Sequence, residues 1–184
     1  PAALSIAKGL GRDPCLIEVI LQESRRIVRM DRGILIVETL HGFVCANAGV
    51  DQSNVEAGSV SLLPEDPDRS AQQLREQLVR LTGADVGVII SDTFGRPWRE
   101  GLTNVAVGIA GCASVRSYLG EKDPAGHILQ GTVLATADEL ASAAELVMGK
   151  LDRIPVALIR GYPRPAEAGS SRDLLRSPER DLFR

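Results

Sequence analysis

The sequence predicts an α+β domain with a mixed, largely antiparallel sheet and packed helices. Three observations carry this reading. Two β-branched runs, 33–38 and 42–46, are separated only by residues 39–41, too few for a crossover, so they are expected to pair as antiparallel neighbours. Helical stripes recur near 14–28, 68–81 and 138–148. Helices and strands alternate only in part, which argues against a regular doubly wound sheet.

Taken in order, Asp13-Pro14 reads as an N-cap followed by the first helical position. Leu16, Ile17, Ile20, Leu21, Ser24, Ile27 and Val28 then share one helical face. The preceding Gly9-Leu10-Gly11 is no dinucleotide fingerprint, because the third glycine and the leading strand are missing. After the 33–46 pair, Asp68 to Leu81 forms a helix with Ala71, Leu74, Leu78 and Leu81 on one side and Gly83 just past its end. Asp66 and Asp68 read as turn and capping residues around Pro67. Further strands are expected at 85–91, 104–110 and 155–160, and a third helix at 138–148, where Asp138 and Glu139 complement the helix dipole. The Pro/Ser/Arg-rich stretch 163–178 opens a C-terminal tail, 163–184, expected to drape over another element or a second subunit. Residues 1–184 are read as one domain.

Composition narrows the function classes. With 184 residues, 44% of them hydrophobic, the chain can bury a real core. A net charge of −3 and a pI near 5.5 argue against a broad nucleic-acid surface, although a few arginines can still receive a small anion. Cys15, Cys45 and Cys112 show no metal spacing and read as small apolar residues in a reducing cytoplasm. His41 and His127 are isolated and read as structural or surface residues. No apolar run approaches a membrane span and no signal peptide is visible.

The most informative segment is Ser91-Asp92-Thr93-Phe94-Gly95-Arg96-Pro97-Trp98-Arg99-Glu100-Gly101, expected as an ordered loop at the end of the 85–91 strand. It gathers a carboxylate, a hydroxyl, two guanidinium groups and the only Trp. Carboxylate and hydroxyl oxygens suit Mg²⁺ or Mn²⁺, and arginines recognise phosphate or carboxylate in bidentate fashion. Trp98 would shield such a site from water. A second acidic loop, Ala46-Asn47-Ala48-Gly49-Val50-Asp51-Gln52-Ser53-Asn54, follows the 42–46 strand and offers Asp51 and Asn54. Residue by residue, turn caps and surface ion pairs would explain these groups. Two acidic loops in one small domain favour a shared metal site. No Walker A sequence exists, so a nucleotide would need another geometry.

Several segments together resemble the γ-glutamyl ligase family of coenzyme F420 biosynthesis. They are Asn47 to Asn54, Leu62-Leu63-Pro64-Glu65-Asp66-Pro67-Asp68, Ser91 to Gly101, Ala137-Asp138-Glu139-Leu140-Ala141, Met148-Gly149 and Asp181-Leu182-Phe183-Arg184. The resemblance runs from Asp13 to Arg184. It implies that family's α+β fold, a homodimer, and attachment of L-glutamate to the terminal carboxylate of coenzyme F420-0, with GTP as co-substrate. Mg²⁺ or Mn²⁺ would be required, with K⁺ as a further candidate ion. Asp51, Asp92 and Thr93 match metal ligands, and Asn54 matches a GTP contact. Met148, Gly149, Lys150 and Asp152 fall in a nucleotide-contacting segment, where Lys150 stands in place of an acidic or amide metal ligand. An N-terminal region with further nucleotide contacts has no counterpart in the sequence, so weak GTP binding is expected of this chain. Arg96 and Arg99 are assigned catalytic roles on chemical grounds rather than from the resemblance: they would bind phosphate or a substrate carboxylate. The alternatives are a metal-dependent phosphohydrolase using Asp51 and Asp92, or a non-catalytic dimerising relative.

Overall fold

A computed structural model describes residues 2–165 and 167–181 of the chain. It is α+β, as the sequence predicts, with small sheets and packed helices. The chain divides into two compact units, Pro1–Glu65 with Phe94–Gly101, and Asp66–Thr93 with Leu102–Arg184.

The first unit is built from helices α1 (Ala2–Leu10) and α2 (Pro14–Gln22) and an antiparallel sheet of β1 (Ser24–Asp31), β2 (Ile34–Thr39) and β3 (Val44–Ala46), in that order. Asp13 caps α2 by accepting the Cys15 N–H at 2.9 Å, and Pro14 occupies a position where no N–H is needed. The helix stops sooner than the stripe through Val28 implies. Glu23 leaves it at φ −83°, ψ 0°, and Ser24 opens β1. Ile27 and Val28 are β-branched, and Ile27 finds a ladder partner in Val37; strand pairing overrides a weak helical preference. Helix α1, which the sequence reading left unassigned, contributes Ala3 and Ala7 to the core.

That core forms where Ile17 and Ile20 of α2 meet Leu35 and Val37 of β2, all four fully buried. Burial of side chains this size stabilises by about 1.5–3 kcal/mol each. Alternation then turns Ile34 outward. Glu38, almost buried, is held by Arg26 at 2.8 Å and by Arg25 at 3.5 Å. His41 is structural: its Nε2 faces the Pro64 and Glu65 carbonyls at 2.9 and 3.2 Å and therefore carries the proton. Its ring lies 5.9 Å from that of Phe43, which meets Phe94 edge-on at 6.1 Å.

The second unit comprises α3 (Pro67–Thr82), most of the hairpin β4 (Val88–Arg96) and β5 (Arg99–Ala110), a short ribbon of β6 (Arg116–Ser117) and β7 (Val133–Leu134), and α4 (Thr136–Met148). Helix α3 is capped as predicted. Asp66 accepts the Arg69 N–H at 3.0 Å, and Gly83, at φ +69°, donates to the Val79 carbonyl at 2.8 Å. Of its apolar face only Ala71 is buried, while Leu74, Leu78 and Leu81 are exposed.

Gly108 lets β5 lie directly on the start of α3, since a Cβ there would overlap the Pro67 carbonyl. Asp68 and Asp138, near the first turns of α3 and α4, each accept a backbone N–H from β5: Ile109 at 2.8 Å and Ala106 at 2.9 Å. Asp138 thus does more than complement a helix dipole. The unit's core gathers Ala106, Ile109, Cys112 and Ala137, with Ile89 and Leu174 against them. Cys45 and Cys112 are buried, as expected, and burial pushes the Cys112 thiol up, whereas Cys15 is exposed.

The tail crosses its own unit, as its composition suggested. Gly169 donates to the Cys112 carbonyl, the Ser170 hydroxyl donates to Asp68 at 2.6 Å, and the Ser114 hydroxyl donates to Asp173 at 2.7 Å. Residues 182–184 lie outside the described residues. Residues 155–160, expected as a strand, are irregular, with Val156, Leu158 and Ile159 exposed. A β-branched run becomes a strand only beside a partner, and among the described residues none pairs with it. No described helix is long and apolar enough to cross a membrane.

Candidate functional site

The segment from Ser91 to Gly101 is not a loop at a strand end. Strand β4 continues through Arg96 and β5 starts at Arg99, so the segment forms the turn end of a hairpin with Pro97 and Trp98 at its turn. Pro97 presets its φ, and Trp98 sits at φ +56°, a left-handed conformation costly for a bulky side chain. Trp98 is 79% exposed, so the chain by itself does not use it as a shield. Arg96 and Arg99 flank it, both exposed.

Asp92 and Thr93 lie earlier in the chain, within β4. The Thr93 hydroxyl donates to Asn104 Oδ1 at 2.8 Å, across the hairpin. Asn104, 5% exposed, donates through Nδ2 to Glu145 Oε2 at 3.1 Å and lies 3.5 Å from Ser91 Oγ. Ser142, on the same helix as Glu145, donates its hydroxyl to the Asn104 carbonyl at 2.8 Å, and lies 2.8 Å from the Thr103 hydroxyl. This polar network joins β4, β5 and α4.

Glu145 stands one helical turn before the end of α4, where its carbonyl accepts the Gly149 N–H at 3.0 Å. Gly149 adopts φ +61°, ψ 166°, a region essentially reserved for glycine, and a Cβ there would overlap the Asp152 carboxylate. Gly149 of the Met148 to Asp152 segment is thus linked to Thr93 through Glu145 and Asn104. Exposed Lys150 follows the carbonyl end of α4, where a cation is favoured.

Asp51 and Asn54 belong to the first unit. Asp51 bridges Ser61 through mutual backbone hydrogen bonds of 3.1 and 2.8 Å, and its carboxylate accepts the Ser53 N–H at 2.9 Å and the Ser53 hydroxyl. Asn47, Ala48 and Gly49 all have positive φ, and a Cβ on Gly49 would press 2.8 Å from Leu63. The tight loop expected from small residues is present. Asp51 and Asp92 fall in different units.

Among the described residues, no three His, Cys, Asp or Glu side chains cluster as a metal cage. That excludes a closed zinc-type site of such ligands among them. Mg²⁺ and Mn²⁺ are commonly held by one or two carboxylates and filled out by water and phosphate oxygens. Asp51, Asp92 and the Thr93 hydroxyl are hard donors of that kind. Asn104 and Glu145 escaped the sequence reading, because no spacing rule connects residues on a strand and a helix so far apart.

Residues 1–161 match the family model of F420-0:gamma-glutamyl ligase. The chain belongs to that family. Coenzyme F420:L-glutamate ligase of Methanothermobacter thermautotrophicus is 50% identical over 187 residues, covering 100% of this chain and 74% of the relative. The enzyme of the same name from Methanocaldococcus jannaschii is 48% identical over 183 residues, 99% of this chain and 73% of the relative. That from Archaeoglobus fulgidus is 43% identical over the same shares. Membership of this ligase family covers both units, including the Asp51 loop and the β4–β5 hairpin.

Proposed function

We propose that this F420-0:gamma-glutamyl ligase family member joins L-glutamate to the terminal carboxylate of F420-0, using GTP and divalent metal, through an acyl phosphate, in the cytoplasm. The observation that carries the reading is 43–50% identity, over nearly the whole chain, to enzymes named for coenzyme F420 and L-glutamate.

A carboxylate does not react with an amine at neutral pH until one oxygen becomes a leaving group. Transfer of the GTP terminal phosphoryl group to that oxygen creates the leaving group. The glutamate amine then attacks the acyl carbon, and phosphate departs with the former carboxylate oxygen. Such transfer depends mainly on positioning and charge neutralisation. Mg²⁺ or Mn²⁺, when bound, would supply charge for the phosphate oxygens, with Asp51 in one unit and Asp92 and Thr93 in the other as the proposed ligands. Arg96 and Arg99 carry the planar donors that orient phosphate or carboxylate. Asn54, Met148, Gly149, Lys150 and Asp152 would contact the nucleotide, Lys150 as a positive charge.

The reading includes a homodimer, which would give exposed Leu146, Val147, Leu151, Val156 and Leu158 a surface to be buried against. Light scattering should report a dimer; a single-chain mass of 19.6 kDa at micromolar concentration would rule it out. The test of the activity is incubation with GTP, Mn²⁺, glutamate and F420-0. A mass gain of one glutamyl residue that needs all four components is expected. Phosphate release without glutamate would instead indicate a phosphohydrolase.

A further inference from the structure

We propose that Asn104 is a positioning residue: it takes the Thr93 hydroxyl proton and so keeps the Thr93 oxygen lone pairs turned toward a cation. The inference rests on the reading of Thr93 as a metal ligand.

The argument begins with burial. Thr93 is exposed, whereas Asn104 is buried, and a buried amide is costly unless its polar atoms are satisfied. Here they are, and in only one orientation. The Glu145 carboxylate is an acceptor, so the Asn104 amide nitrogen must face it, at 3.1 Å. The amide oxygen then faces Thr93, and the contact at 2.8 Å requires the hydroxyl to donate. A hydroxyl has one proton and two lone pairs. With its proton committed to Asn104, Thr93 offers its lone pairs alone to whatever lies on its other side.

An unanchored hydroxyl would sample orientations that aim its proton at a cation, and each would have to be excluded before coordination. Glu145 sets the amide, the amide sets the hydroxyl, and the hydroxyl presents the oxygen. Ser142 fixes the Asn104 backbone from the same helix at 2.8 Å, so the relay has little freedom to drift.

Mn²⁺ binding to the full chain, followed by calorimetry or by the free-ion electron paramagnetic resonance signal, tests this without turnover. Thr93→Val should weaken binding. Asn104→Leu should weaken it about 10–100-fold, the usual cost of losing a partner that orients a ligand. The double variant should bind no more weakly than Thr93→Val alone, because Asn104 acts through that hydroxyl. Asn104→Asp combined with Glu145→Gln reverses donor and acceptor at constant charge and restores an acceptor for Thr93. It should bind within a few-fold of wild type, and it decides the matter if the leucine variant does not fold. Wild-type affinity in Asn104→Leu, additive losses in the double variant, or no rescue by the reversed pair would each overturn the proposal while leaving Thr93 as a ligand. Unchanged affinity in Thr93→Val would instead overturn the metal-ligand reading itself.

Discussion

Asp92→Asn and Asp51→Asn are each expected to lower turnover and Mn²⁺ affinity by a hundredfold or more, with the fold unchanged. Loss of one anionic ligand to a hard cation removes several kcal/mol of charge stabilisation, and about 3 kcal/mol is already a hundredfold in rate. The fold should survive because neither carboxylate lies in a core. Asp51 is exposed, and an amide oxygen can still accept the Ser53 N–H at the 2.9 Å contact that shapes its turn. Asp92 is half-buried, and the Thr93 N–H it accepts at 2.8 Å can be kept by an amide oxygen too. Turnover, Mn²⁺ titration and thermal unfolding measured together separate the site from the fold. Near-wild-type activity and affinity in both variants would remove the metal-site reading.

The second large effect concerns stability. Asp68→Ala should lower it by about 3 kcal/mol or more, because hydrogen bonds to a charged group are lost and buried donors are left without partners. One carboxylate takes the Ile109 N–H at 2.8 Å, the Ser170 hydroxyl at 2.6 Å and the Ser171 N–H at 3.1 Å. It joins the start of α3 to β5 and to the tail. In a domain of this size the loss corresponds to roughly 6–12 °C in Tm. Burial pushes the Asp68 carboxyl up, but the hydrogen bonds from Ser170, Ser171 and Ile109 outweigh it and hold the group below its usual value of 3.8. A carboxyl lowered by folding contributes stability above its unfolded value and loses it as pH falls through the folded one. The Tm gap between the protein and Asp68→Ala should therefore hold at neutral pH and close only in acid. A gap of less than a degree at pH 7 would contradict this account of the tail.

What could be read from the sequence was what depends on neighbours in the chain. Asp13-Pro14, Asp66 and Gly83 act within one turn of their own helices, and all three cap as their residue types dictate. The helix drawn through Val28 failed because residues 24–31 follow the ladder of β2, and only the fold decides whether β-branched residues have a strand beside them. The run at 155–160 failed in the opposite direction, since its composition suits a strand and no partner within the described residues pairs with it. At the site, Asp92 and Thr93 were visible as chemistry, but their place within a hairpin was not, because Gly95 and Gly101 look like loop punctuation. Asn104 and Glu145 were not legible at all: an asparagine in a strand and a glutamate on an alanine-rich helix carry no signal until folding places them 3.1 Å apart. Asp138 was read as a dipole partner, yet its carboxylate is committed to the Ala106 N–H.

In the proposed reaction the substrate carboxylate, rather than water, accepts the phosphoryl group of GTP. F420-0 carrying ¹⁸O in its terminal carboxylate tests this directly. In a reaction that completes glutamyl transfer, acyl-phosphate chemistry moves one labelled oxygen into each phosphate released. Mass spectrometry of that phosphate should show one ¹⁸O per glutamate added. Unlabelled phosphate beside labelled product would contradict the claim, because the phosphate would then have come from hydrolysis of GTP by water.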